Sequence, residues 1–155
     1  MRLEEILVRS ALIPTKIRVF ILQHRGARIG SDSSIAYGAV IKGTRLTIGR
    51  GSFVNHGVFV DRGPLTLGDN VDVGPNVSFL TKNHEIGQSD KRAGKHVEQP
   101  ITVGTGTWIG ANVTVLGGVV IGQGCVIAAG SVVTSSTDAD ALYAGVPAKL
   151  VRRFD

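Results

Sequence analysis

Apolar residues recur along the chain at a spacing of six. From Ile29 the series runs through Ile35 and Ile41, takes one step of seven to Ile48, and continues to Val54 and Val60. A second step of seven leads to Leu67, then Val73 and Phe79. The series lapses after residue 80 and resumes at Val103, Ile109, Val115, Ile121, Ile127 and Val133. Two places before each of these lies an uncharged residue, mostly small or β-branched, as at Ala39, Ser52, Val71, Val113 and Cys125. Residues i and i−2 share one face of a strand. Each hexapeptide therefore predicts a short strand with two residues turned inward. Three hexapeptides between insertions predict one triangular coil, and about five coils follow over residues 29–137. A glycine directly follows several of the key positions, as at Gly30, Gly74 and Gly110. The expectation is that it makes a sharp corner. The fold class is all-β, a parallel β-helix whose hand the period does not set.

Three segments interrupt the pattern. In residues 1–28, Leu3, Ile6 and Leu7, then Ile13, Ile17, Phe20 and Ile21, stand at helical spacing, with Pro14 breaking the run. A helical cap over the open end of the prism is expected, since a solenoid needs a terminal cover. A second reading, weak association with a membrane surface, rests on Arg2, Arg9, Lys16, Arg18 and Arg25. Residues 80–102 are expected to protrude as a long loop rich in Lys, Arg, Gly and His, and such loops are often functional. Residues 138–155 are expected to leave the prism as a C-terminal tail.

Composition narrows the picture further. The length of 155 residues fits one domain, and 21 glycines with 5% aromatics suit a repetitive β structure better than a helical bundle. A net charge of +5 favours a polyanionic partner, but no Lys/Arg run is long enough to indicate nucleic acid. Cys125 stands alone and in the inward column, so it is read as core, not nucleophile. Glu4 and Glu5 lie where a signal peptide carries only bases, and no apolar run approaches the ~18 residues of a membrane span. A cytoplasmic protein is the resulting expectation.

Among four histidines, His84 stands where the repeat gives way to the loop. Imidazole is the side chain best suited to general-base work near neutral pH. Thr81-Lys82-Asn83-His84-Glu85 resembles the catalytic-histidine segment of the hexapeptide-repeat acyltransferases. Trp108 to Gly122, Ile127 to Thr134 and Ala144 to Arg152 resemble the hallmark repeats and tail of that family, nearest to short sugar and glycan O-acetyltransferases of capsule and exopolysaccharide type. The resemblance implies a left-handed prism and acetyl-CoA as acyl donor, with no metal. It makes His84 the general base and gives the oxyanion a backbone amide near Ala111. It places the acceptor at Asn55, with His56 and Asp61 as weaker neighbours. It places acetyl-CoA at Ala111, Ala129, Thr134, Lys149 and Arg152, and implies a homotrimer. Glu85 is a weak candidate for orienting His84. Lys82 stands where many relatives carry a second histidine.

The expected function is acetyl transfer from acetyl-CoA to a hydroxyl of a sugar or glycan precursor. Open alternatives are N-acetylation of an amino-sugar nucleotide and a non-catalytic scaffold subunit. Zinc carbonic anhydrases share the prism but need three convergent histidines, a spacing that His56, His84 and His96 do not reproduce. The outward residues Trp108, Val120, Val126 and Val132 are expected to form an apolar strip buried between subunits.

Overall fold

The computed structural model describes residues 3–155. The first coil is β1 (Arg28–Ile29), β2 (Ser34–Ile35) and β3 (Val40–Ile41), and the second is β4 (Leu46–Ile48), β5 (Phe53–Val54) and β6 (Phe59–Val60). The third is β7 (Leu65–Leu67), β8 (Asp72–Val73) and β9 (Ser78–Leu80). A hairpin of β10 (Lys82–Ile86) and β11 (Ala93–Glu98) follows. The fourth coil is β12 (Ile101–Val103), β13 (Trp108–Ile109) and β14 (Thr114–Leu116), and the fifth is β15 (Val120–Ile121), β16 (Val126–Ile127) and β17 (Val132–Val133). Corresponding strands stack in parallel into three faces, β1-β4-β7-β12-β15, β2-β5-β8-β13-β16 and β3-β6-β9-β14-β17.

The five complete coils are followed by part of a sixth. The Thr137 N–H donates to the Val120 carbonyl at 3.0 Å, and β18 (Ala141–Ala144) pairs in parallel with β16. Then β19 (Lys149–Arg153) folds back antiparallel on β18. The tail expected from residue 138 therefore extends the second face before the chain ends.

The two inward columns fill the prism. Ile35, Phe79, Ile109, Val113, Cys125 and Ile127 are fully buried. Polar residues in the inner column are tied to neighbouring corners. The Ser52 hydroxyl donates to the Gly68 carbonyl at 2.9 Å and accepts from the Val71 N–H at 3.0 Å. Such pairing removes most of the cost of burying a hydroxyl.

The glycines after the key apolar positions have a different role from the one expected. The left-handed backbone that turns the corner lies two residues later, as at Asn76 (φ 58°) and Asn112 (φ 57°). Gly74 and Gly110 are required by close approach of the next coil. A Cβ on Gly74 would lie 2.8 Å from the Ala111 nitrogen, and one on Gly110 would lie 2.6 Å from the Ala129 nitrogen.

The edge between the third and first faces collects the irregularities. The extra residue of both seven-residue steps falls there, around Gly43 and Gly63, and so does the hairpin. The expected loop of residues 80–102 is thus mostly paired antiparallel structure. Its turn is closed by Gly87 N–H to the Arg92 carbonyl at 2.9 Å and Lys91 N–H to the Gln88 carbonyl at 3.0 Å.

Helices α1 (Leu3–Arg9) and α2 (Thr15–His24) cover the first coil, packing on β1, β2 and β3. Val8 and Leu22 join the core. Arg18 is 2% exposed. Its guanidinium donates to the carbonyls of Val8 (2.7 Å), Ile35 (2.8 Å), Ser10 (2.9 Å) and Ile13 (2.8 Å). Burial lowers its pKa from the ordinary value. Arg18 and the largely buried Arg25 therefore do not contribute to a basic outer face, and Arg2 lies outside the described residues. Among the described residues no helix is long and apolar enough to cross a membrane.

The outward apolar residues do not form one strip. Trp108 and Val126 are neighbours on the second face, beside Leu142, whereas Val120 lies on the first face and Val132 on the third. Trp108 remains 59% exposed.

Candidate functional site

Thr81 anchors the hairpin. Its buried hydroxyl accepts the Gly63 N–H at 2.8 Å, and its carbonyl accepts the Gln99 N–H at 2.8 Å. Glu98 at the base pairs with Arg45 at 2.7 Å and with Lys82 at 3.8 Å. Above this base the register runs Lys82 opposite Glu98, Asn83 opposite Val97 and His84 opposite His96. The His84 and His96 rings lie against each other with centroids 4.2 Å apart and planes tilted by 42°.

His84 is exposed, yet its ring is held in one orientation. Nδ1 lies 2.8 Å from the Gly94 carbonyl. A carbonyl oxygen can only accept, so Nδ1 carries the proton and donates. In the neutral ring Nε2 is then an unprotonated acceptor. Gly94, on the opposite strand, does the orienting that Glu85 was a candidate for. Neither Gly94 nor His96 was visible as a site residue in the sequence.

The remaining candidates fall on two edges. Asn55 and His56 lie at the second–third edge. Its backbone ladder links His56 to Asn76 (2.9 Å), Pro75 to Asn112 (2.9 Å) and Ala111 to Gly130 (2.8 Å). This places His56, Pro75, Ala111 and Ala129 in one column, headed by Tyr37, whose ring centroid is 4.3 Å from that of His56. Asn55 Oδ1 accepts the His56 N–H at 2.8 Å. A groove of about 370 Å³ beside His56 is bounded by Phe53, Tyr37 and the segment between the helices. Lys149 lies opposite Ala144 at the C-terminal end of this edge, and Arg152 lies on the second face, 5.2 Å from the Phe154 ring centroid.

Asp61 and Thr134 stand at the third–first edge with the hairpin. The Asp61 N–H donates to the Phe79 carbonyl at 3.1 Å, and Thr134 directly follows β17. His56 and Asp61 are thus separated by one side of the prism, roughly 16 Å of extended chain. The fold of one chain therefore distributes these candidates over two edges and does not gather them.

The architecture defines a class, the left-handed parallel β-helix built from hexapeptide repeats. The family model described as bacterial transferase hexapeptide (six repeats) matches residues 100–135. The chain is 36% identical over 114 residues to galactoside O-acetyltransferase of Escherichia coli K12, covering 73% of this chain and 56% of that protein. It therefore spans little more than half the length of that relative. A hexapeptide-repeat containing acetyltransferase from Vibrio cholerae matches with TM-score 0.89 and 29% identity over 98% of this chain and 87% of that one. A structure of that Vibrio protein complexed with acetyl coenzyme A matches with TM-score 0.82 and 28% identity, over 98% and 84% of the two chains. A maltose O-acetyltransferase from Clostridium difficile 630 matches with TM-score 0.85 and 25% identity over 98% and 82%. Residues 100–135 thus match the hexapeptide repeat of bacterial transferases, within a fold that is similar along nearly its whole length to those acetyltransferase structures.

Proposed function

We propose that the protein transfers an acetyl group from acetyl-CoA to a hydroxyl of a sugar or glycan precursor, with His84 as general base. The observation that carries this is the hydrogen bond from His84 Nδ1 to the Gly94 carbonyl. It leaves Nε2 as the atom that takes a proton, and holds the ring in place to do so. The acceptor hydroxyl gives its proton to Nε2 as its oxygen attacks the thioester carbonyl. The tetrahedral intermediate is stabilised by backbone N–H groups near Ala111. Its collapse expels CoA thiolate, which recovers a proton from the imidazolium. Support for the donor and acceptor comes from the relatives, one complexed with acetyl coenzyme A and two named as O-acetyltransferases of sugars.

Acetyl-CoA lies along the second–third edge, where the side chains at Ala111 and Ala129 are only methyl groups. Lys149 and Arg152 meet its phosphates and Thr134 lies near its far portion, while Asn55, His56 and Asp61 contact the acceptor. The reacting atoms must come within ~3–3.5 Å of one another. The separation of the candidates over two edges is met by a homotrimer, in which the third–first edge of one subunit borders the second–third edge of its neighbour.

Replacement of His84 by alanine tests the base directly. His84→Ala is expected to bind CoA normally and to lose ~10²-fold or more in kcat. Loss of less than threefold would move the base elsewhere.

A further inference from the structure

A basic cleft separates α1 from the first turns of the third–first edge. The cap contributes Glu5, Val8, Arg9 and Arg25, and the prism contributes Lys42 and Arg62, around a cavity of about 310 Å³. A second hollow beside it shares Glu5, Arg25, Lys42 and Arg62 and adds Arg45. Five cationic side chains thus line the two hollows with one lining carboxylate, that of Glu5, while Glu4 and Glu98 from outside the lining pair with Arg25 and Arg45. Arg45 is engaged with Glu98. Lys42 and Arg62 are brought together by the stacking of successive corners, since a Cβ on Gly43 would lie 2.6 Å from the Arg62 carbonyl oxygen.

The second observation concerns Arg25. Its side chain is only 10% exposed, and Nε lies 3.6 Å from a carboxylate oxygen of Glu4. Its Nη1 is buried and has no hydrogen-bond partner among the described residues. A buried guanidinium donor without an acceptor is costly and rare. The cleft beside it holds cations in excess over carboxylates, so the ligand that complements it is an anion. A tetrahedral phosphoryl group fits the arrangement. Its oxygens can meet the guanidinium of Arg62 and, in another direction, the ammonium of Lys42. The volume is at the lower end of small-molecule sites (roughly 300–1,000 Å³), enough for more than a bare ion.

The cleft shares its edge with the hairpin. Glu98 joins Arg45 to the hairpin base, and His84 lies two residues along from that level, about 7 Å. We propose that this cleft binds a phosphoryl group, and that the group belongs to the acceptor, a phosphorylated sugar. The acceptor part of this proposal rests on the reading of the protein as an acetyltransferase.

Calorimetric binding tests both parts without turnover, using the full chain with inorganic phosphate, a hexose 1-phosphate and the uncharged hexose. The hexose 1-phosphate is expected to bind at least tenfold more tightly than either other probe. Lys42 and Arg62 are exposed, so the Lys42→Gln/Arg62→Gln double variant retains the fold, checked by circular dichroism. It is expected to lose tenfold or more in affinity for both phosphorylated probes. Arg25→Gln is expected to do the same, but it also touches Glu4 and serves only as a companion to the double variant. Equal affinity for inorganic phosphate and hexose 1-phosphate would assign the cleft to the free ion and overturn the acceptor part. No phosphate binding, or binding unchanged in the double variant, would overturn the site itself. An acetyltransferase inactive towards every acceptor would refute the proposed function while leaving these binding results intact.

Discussion

At position 129 the side chain is a single methyl group on a corner where the polypeptide is otherwise bare. The same is true one coil earlier at Ala111. Along the column the side chains diminish from the Tyr37 and His56 rings to these methyls, so the least side chain covers the corner towards the C-terminal end. Ala129→Leu is expected to leave assembly unchanged and to raise the acetyl-CoA KM by tenfold or more, measured in steady-state kinetics. A normal KM would put the cofactor along another edge. This column was legible in the sequence because six-residue spacing fixes which residues stack. The orienting partner of His84 was not, because Gly94 is ten residues away and acts through its carbonyl, which carries no side-chain signal. The role of the glycines was misread for a related reason. Periodicity reveals that Gly74 and Gly110 recur, but only the neighbouring coil explains why a Cβ is excluded.

Among the elements, α2 is held more by one side chain than by its own sequence. It has no side-chain N-cap, and the guanidinium of Arg18 ties it to the end of α1, to the connecting segment and to β2. The hydrophobic spacing of residues 1–28 indicated a helical cap broken at Pro14, and the basic residues read as a surface set included Arg18. Burial of a charge satisfied entirely by main-chain carbonyls leaves no pattern in the sequence. Arg18→Met keeps much of the volume and removes all four donors. It is expected to lower stability by on the order of 3 kcal/mol, read as a reduced midpoint in urea unfolding. A change below about 0.5 kcal/mol, the range of an ordinary surface site, would show that apolar packing alone holds the cap. The hairpin is the opposite case. It was recognised as an interruption, but its antiparallel pairing was invisible because nearly all its side chains are exposed and show little hydrophobic contrast.

For the whole molecule, the long series of parallel ladders fixes which residues share an edge, and so separates His84 from His56, Ala111 and Ala129. The proposed trimer restores their proximity, and light scattering is expected to give a mass of three chains. A stable, fully active single chain would contradict a site shared between copies. The expected apolar strip was wrong in its geometry, because outward residues one hexapeptide apart point from different faces. Trp108, Val126 and Leu142 on the second face remain the apolar surface available for contact.

The third–first edge closes in three ways in successive coils. It uses one extra residue beside Gly63, the entire hairpin after Thr81, and no insertion at Gly117. The strands on either side keep the same register through all three, with Leu65 aligned on Ile101 and Val115 on Phe79 and Val133. The stack is therefore indifferent to how much chain is inserted at this seam. The seam acts as a socket: its contents can be lengthened, shortened or exchanged as a module, so the hairpin that carries His84 can vary without renegotiating the scaffold beneath it.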